Sequence, residues 1–179
     1  TEEAAAFKQD IQTALYDTMA RSPVVPLGDG TWVPSCAPWA EYSGPVSLFA
    51  EGGLWYTHGT FTARDALVGP LYVVFQEVLD PNEPAAEHLL NWHTELMCLR
   101  NVAFSQPYYA RQAVVNLMRG EVKAFLHAYY YGLAGLADRE TYSFWEHYFH
   151  ASPHKTHEEA WFLMQTRWML WMEQGATLK

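Results

Sequence analysis

Residues 160–172 form an almost continuous apolar segment with helical spacing, interrupted only at Gln165-Thr-Arg167. Its largest aliphatic and sulfur-containing members are Leu163, Met164, Met169, Leu170 and Met172. Thr156, with Glu159 three residues later, is typical of a capping box at the start of a helix. A helix with so little polar surface needs neighbours on most sides. The pattern therefore predicts a final helix that is packed between other helices.

Further helices are predicted upstream, with proline and glycine between them. The first spans residues 1–20, where apolar residues recur at three- and four-residue intervals before Ser22-Pro23. A short β-hairpin is predicted around Gly28-Asp29-Gly30, because Asp-Gly suits a tight turn. The remaining helices are expected at residues 63–79, 83–100, 107–118 and 121–136. Helices in pairs joined by short turns predict an all-α fold of antiparallel helical hairpins, with one domain over residues 1–179.

The charge and hydropathy of the chain argue against two classes of binding partner, nucleic acids and membranes. The chain has 179 residues and a formal net charge of −9, so it lacks the basic face that nucleic-acid binding requires. No segment approaches the roughly 18–20 uninterrupted apolar residues of a membrane span. We therefore expect neither a nucleic-acid partner nor a membrane partner.

Two long aromatic segments are expected to be loops. Residues 34–59 are rich in proline, glycine and aromatic residues, which is uncommon in a compact domain unless the segment is functional. Residues 139–159 hold four histidines, four glutamates and five aromatic residues, and Pro153 interrupts any helix there. A polar, aromatic loop between apolar segments is where a helical scaffold presents chemistry.

Paired carboxylates are the best candidates for that chemistry. Glu140 and Glu146 lie in the second aromatic segment, and a glutamate packed against Trp145 has its pKa raised by desolvation. A metal site is an alternative, because His147, His150, His154 and His157 follow one another at intervals of three or four residues. No zinc-protease or di-iron helical motif is present, and no nucleophile elbow occurs. We expect no cofactor.

Phe144-Trp-Glu-His147, the histidine-containing loop after it and the tryptophan-rich final helix resemble the end of the catalytic module in six-hairpin (α/α)6-toroid glycosidases. The Trp-Glu step is similar to that of the α-L-rhamnosidase branch. Residues 22–34 and 106–112 also resemble segments of large bacterial proteins with this fold. A closed toroid takes about twelve helices, and six are expected here. The resemblance therefore implies the C-terminal half of a toroid, either cut from a longer protein or paired with another copy of itself.

The resulting hypothesis is a carbohydrate-active, glycoside hydrolase-like module that is a fragment of an enzyme. The resemblance implies that Glu146 activates water as general base, with Glu140 in reserve. Rings expected to stack on sugar faces are Trp39, Trp55, Tyr142 and Trp145, and the side chains expected to bind hydroxyls are His147 and His154. Two alternatives stay open: a non-catalytic helical protein-interaction domain, and a metal-binding helical protein.

Overall fold

A computed structural model gives the structure of the protein. It describes residues 1–21, 24–26, 32–34, 71–94, 111–146, 150 and 153–178. The described chain is mostly helical with small two-stranded sheets, which confirms the helical class expected from the sequence. It divides into two compact units, Thr1–Phe104 and Ser105–Lys179, each of which is described by itself. The expectation of a single domain stays a prediction.

The first unit begins with helix α1 (Glu2–Arg21), as the spacing predicts. Its C-terminal half buries Leu15 and Met19, whereas Phe7 is 65% exposed. Two carboxylates in its first turn interact favourably with the helix dipole. The expected hairpin is also present, because β1 (Val24–Pro26) pairs antiparallel with β2 (Trp32–Pro34).

Polar contacts join α1 to residues 77–83. These residues follow a short helical segment, residues 71–75, and the chain turns through Glu77, whose φ is 57°. The side chain of Gln12 donates to the carbonyl of Val78 at 2.5 Å, and the Tyr16 hydroxyl donates to Glu83 at 2.8 Å. Helix α2 (Pro84–His93) then begins with proline at its first position, where the missing N–H costs nothing.

The second unit contains a helical hairpin. Helix α3 (Gln112–Met118) is followed by α4 (Val122–Leu136), and Gly120 with φ 78° stands in the turn between them. The N–H of Gly120 donates to the carbonyl of Leu117, and the N–H of Glu121 donates to that of Asn116. These two bonds form a Schellman motif, which ends α3 and lets α4 fold back on it.

Two further hairpins in this unit were not expected from the sequence. Strand β3 (Ala137–Asp138) pairs with β4 (Ser143–Phe144), where only a loop was predicted. Helix α5 (Thr156–Leu170) is followed by β5 (Glu173–Gln174) and β6 (Thr177–Leu178), which pair antiparallel. Strands of two residues carry no alternating pattern that a sequence could reveal.

An aromatic cluster forms the core of the second unit. Phe125 is fully buried, and Tyr129 stacks on Phe162 with 5.3 Å between ring centroids. The ring centroids of Phe144 and Phe162 lie 4.9 Å apart. Phe144 of β4 and Tyr129 of α4 therefore both pack on the Phe162 ring of α5. The Tyr129 hydroxyl forms a 2.7 Å hydrogen bond with Thr166, which gives this buried polar group a partner. The cluster holds α4, β4 and α5 together.

Two expectations for the final helix are wrong. Its N-cap is Lys155, with no side-chain capping bond, so Thr156 is the first helical residue and does not cap. The helix is also not covered on most sides: Leu163 is 65% exposed and Leu170 is 82% exposed. The buried residues of α5 are instead the polar Glu158 and Gln165. The ring contacts of Phe162 and the hydrogen bond of Thr166 to Tyr129 orient α5 so that its aliphatic residues point outward.

Candidate functional site

The β3–β4 hairpin positions the start of the candidate site. Asp138 accepts hydrogen bonds from the Thr141 hydroxyl at 2.8 Å and from the Glu140 N–H at 2.9 Å. The bond from Thr141, followed by that from Glu140, lowers the pKa of Asp138. The N–H of Trp145 donates to the carbonyl of Leu136 at 2.9 Å, which extends the hairpin to the residue before Glu146. A turn stabilised in this way fixes where Glu146 leaves the hairpin.

Lys155 links the end of this hairpin to the start of α5. Its N–H donates to the carbonyl of Phe144 at 3.2 Å, so its backbone lies beside β4. Its ammonium group lies 2.8 Å from a carboxyl oxygen of Glu146. The Glu146 side chain is only 19% exposed, so this ion pair is partly shielded from water. Glu146 is therefore held by a cation at the N-terminal end of α5.

Glu158, in the first turn of α5, is the second carboxyl of the site. Its side chain is 0% exposed, and among the described residues neither of its carboxyl oxygens has a hydrogen-bond partner. Desolvation raises its pKa to about 8, the nearby Arg111 opposes this, and the charge of Glu146 adds to it. Glu158 therefore carries a proton at pH 7, next to a carboxylate held by Lys155. We refer to Glu146 and Glu158 as the acidic pair.

Arg111 is the buried cation of the site. It precedes α3 with φ 64°, a conformation that few non-glycine residues adopt. Only 2% of its surface is exposed, and its guanidinium carbon lies 3.2 Å from the centroid of the Trp161 ring. A guanidinium on an indole face is stabilised by about 0.5–2 kcal/mol. The stacking brings positive charge close enough to Glu158 to act on its pKa.

One imidazole contacts the acidic pair, and a second stacks on the residue before Glu146. The Nε2 atom of His157 lies 3.3 Å from a carboxyl oxygen of Glu158, and the His157 side chain is 38% exposed. His150 stacks on Trp145 with 5.4 Å between ring centroids and 14° between ring planes. His157 thus connects the buried carboxyl to the surface.

The structure brings some of the expected site residues together. Glu146, a member of the acidic pair, and the adjacent Trp145 are partly buried. Glu140, Tyr142 and His154 are exposed, Tyr142 by 93%. His154 lies near the β3–β4 turn, because its charge contributes to the lowered pKa of Asp138. The expected site residues that lie outside the described part of the chain are Trp39, Trp55 and His147.

Sequence reasoning missed three residues of the site: Lys155, Glu158 and Arg111. Glu158 carried a usable signal, because residues four and seven positions later, Phe162 and Gln165, share its face of the helix. The large ring at Phe162 marks that face as the buried one. Arg111 carried no such signal, since its left-handed backbone and its contact with Trp161 depend on the fold.

In the part of the chain that the structure describes, no group of three or more histidine, cysteine, aspartate or glutamate residues is arranged to hold a metal ion. None of the described helices is both long enough and apolar enough to cross a membrane. No protein-family model, curated protein or solved structure matches this chain.

Proposed function

We propose that the chain is a carbohydrate-active helical module of the glycoside hydrolase type, and that its helical hairpins form half of an (α/α)6 toroid. The observation that carries the proposal is the acidic pair. Glu158 is protonated at pH 7, and Glu146 beside it is paired with a cation. Hydrolysis of a glycosidic bond uses two carboxyl groups in these two states. Environments that separate the protonation states of two neighbouring carboxyls are typical of acid–base sites.

In this proposal Glu146 acts as general base. It takes a proton from a water molecule whose oxygen bonds to the anomeric carbon as the bond to the leaving oxygen breaks. Lys155, at 2.8 Å, holds the Glu146 carboxylate in one orientation. The leaving oxygen receives a proton that comes from Glu158 by way of His157, whose Nε2 lies 3.3 Å from the buried carboxyl. Glu146 then releases the proton it took to bulk water, and Glu158 regains a proton from bulk water through the same imidazole.

The sugar would be bound by rings and imidazoles around the acidic pair. Trp145 and the exposed Tyr142 supply ring faces on this unit, and His154 supplies a donor for hydroxyl groups. Trp39, Trp55 and His147 stay predictions from the sequence alone, because they lie outside the described residues, and Glu140 is the reserve base. Aromatic faces with a few polar groups are the usual composition of a small-molecule site.

The proposal is tested with 4-nitrophenyl α-L-rhamnopyranoside as the hydrolysis probe and L-rhamnose as the binding probe. Glu146→Gln should lower hydrolysis by about 10²- to 10⁴-fold while L-rhamnose still quenches tryptophan fluorescence. Lys155→Met, which keeps the side-chain length without the charge, should lower hydrolysis less. If the parent chain neither hydrolyses the glycoside nor binds the sugar, or if Glu146→Gln is fully active, the proposal is wrong.

A non-catalytic interaction domain is the second candidate, and one observation favours it. Helix α5 exposes a stripe that we call its outer face. This outer face consists of Leu163, Met164, Arg167 and Leu170 of the helix, together with Trp171, which follows the helix with an extended backbone. Its four apolar members are 65%, 37%, 82% and 45% exposed. Exposed apolar stripes of this kind mark contact surfaces. Self-association or partner binding without any response to sugar would favour this candidate over the first.

A further inference from the structure

The buried cation and the buried carboxyl of the site are neighbours that do not bond to each other. Arg111 is close enough for its charge to act on Glu158, and the two residues are only 2% and 0% exposed. Yet neither carboxyl oxygen of Glu158 has a hydrogen-bond partner in the described part of the chain. An arginine and a glutamate buried side by side ordinarily form a charge-assisted pair, because a buried charge without a partner is costly. A feature of the fold therefore keeps the two groups from pairing.

That feature is the indole ring of Trp161. The guanidinium carbon of Arg111 lies 3.2 Å from the centroid of this ring, which is direct contact with its face. The N–H donors of a guanidinium all lie in one plane, so a ring that holds the group also restricts where the donors point. Trp161 follows Glu158 by three residues on α5, and residues at this spacing are neighbours on the helix surface. The ring therefore lies where it competes with the carboxyl for the guanidinium.

Both partners of this contact are held in place from behind. Arg111 precedes α3 with a φ of 64°, and a backbone in this region persists only where its surroundings hold it there. The Trp161 ring lies 6.2 Å from the ring of Trp168, between centroids, and it also packs against the aromatic core of the unit. The backbone before α3 and the packing of α5 thus set the position of the guanidinium.

We propose that Trp161 is a positioning residue that withholds Arg111 from Glu158 and so keeps Glu158 a neutral, proton-carrying carboxyl. The use of that proton in hydrolysis rests on the proposed function, whereas the withholding does not. Without the ring, the guanidinium should turn and donate to both carboxyl oxygens. Glu158 then releases its proton to bulk water, and an ion pair replaces the neutral acid.

The other charged groups that face Glu158 among the described residues do not depend on the indole. Glu146, from the end of β4, raises the pKa of Glu158, and it is paired with Lys155 at 2.8 Å. His157, on α5 itself, has its Nε2 atom 3.3 Å from a carboxyl oxygen of Glu158. Neither contact includes the ring, so both should remain when the ring is removed.

The test is a titration of Glu158 in the folded chain. Carbon NMR follows the carboxyl groups of isotopically labelled glutamate, and the signal absent from Glu158→Gln identifies residue 158. In the parent chain this signal should titrate with a pKa of about 8. In Trp161→Leu the pKa should fall by about 1–3 units, as for a carboxyl beside an arginine. Trp161→Phe keeps a ring that binds cations less well, so its pKa should lie between the two.

Two further variants separate this role from a merely structural one. Phe162→Leu removes a ring from the same turn of α5, but one that packs on Tyr129, so the pKa of Glu158 should stay at about 8. Trp161→Leu combined with Arg111→Met leaves no arginine to pair, so the pKa should return to the parent value or above it. If water entering the space of the lost ring caused the fall, the double variant would keep the low value.

Three outcomes overturn the proposal: an unshifted pKa in Trp161→Leu, an equal fall in Phe162→Leu, or a double variant that stays low. If circular dichroism shows that Trp161→Leu is unfolded, Trp161→Phe decides, and an unshifted pKa there overturns the proposal as well. The result is independent of hydrolysis. A chain without glycosidase activity that shows the expected titrations contradicts the proposed function alone, and an active chain without them contradicts this inference alone.

Discussion

The protonated state of Glu158 gives the sharpest prediction for stability. Replacing Glu158 by glutamine keeps the shape of a neutral carboxyl and removes the ability to ionise. In the folded chain this side chain is 0% exposed, and its pKa is raised to about 8 from an ordinary value of 4.5. The folded state therefore binds a proton at pH 5–8 that the unfolded state has released. Stability from this group must fall as pH rises through that window.

The magnitude follows from the two pKa values. Each pKa unit corresponds to about 1.4 kcal/mol, so the free energy of unfolding should fall by about 1.4 kcal/mol per pH unit between about pH 5 and pH 8. The difference between 4.5 and about 8 gives a total of about 5 kcal/mol, which is a large part of the stability of a typical domain. Below pH 4.5 both states are protonated and the contribution vanishes, and above pH 8 the cost no longer grows.

The assay is urea unfolding at a series of pH values, followed by tryptophan fluorescence and extrapolated to water. All other ionisable groups are common to the parent and to Glu158→Gln. The difference between the two proteins therefore reports the ionisation of residue 158 together with its contact to His157. The free energy of unfolding of the variant should rise steadily relative to that of the parent from pH 5 to pH 8. The amide group itself adds only a difference that does not depend on pH.

Glu159→Gln is the matched control, because Glu159 lies in the same helical turn and is partly exposed. It should follow the pH profile of the parent. A difference between parent and Glu158→Gln that stays constant from pH 5 to pH 8 would refute the reasoning. It would mean that Glu158 is ionised in the folded chain, and the acid–base interpretation of the acidic pair would lose its basis.

Three further predictions concern the second unit, all measured by urea unfolding at a single pH. Phe125→Ala removes a fully buried ring and should cost about 3–5 kcal/mol, and a loss below 1 kcal/mol would show that the ring is not a core residue. Tyr129→Phe should cost only about 1 kcal/mol, because Thr166 keeps its bond to the carbonyl of Phe162. Gly120→Ala should cost about 1–2 kcal/mol from its φ of 78° alone, since an added Cβ would meet nothing within 4 Å. Gly120→Asn should cost less, and equal losses would argue against a backbone origin.

The sequence predicted the helices well wherever spacing and breakers agree. Helix α1 and the β1–β2 hairpin were found where expected, because a long periodic run and an Asp-Gly turn are local signals. The β3–β4 hairpin was missed because its strands are too short to show a period, and it depends on the hydrogen bonds of Asp138. Glu146 was predicted as a site residue from its neighbours in the sequence, and that role stays a prediction. Glu158 was not predicted, because the burial of a helical glutamate is decided by which face packs inward.

Helix α5 departs from the usual amphipathic arrangement in a way that has consequences for function. Glu158 and Gln165 lie seven residues apart on the inner face, and Leu163 and Leu170 lie seven residues apart on the outer one. Stability alone would favour the opposite orientation. Burying a polar group without a partner costs about 1–3 kcal/mol, and exposing a leucine forgoes about 1.5–3 kcal/mol.

The contact of Phe162 with Tyr129 holds the helix against these costs. Sites that break a local rule of folding are expected to be functional ones. One helix thus carries two candidate sites on opposite faces, and they can be separated experimentally. A change at Leu163 should alter any association through the outer face and leave the pH profile of stability intact, whereas a change at Glu158 should do the reverse. If either substitution affected both properties, the two faces could not be treated as independent, and the division of α5 into an acid–base side and a contact side would have to be given up.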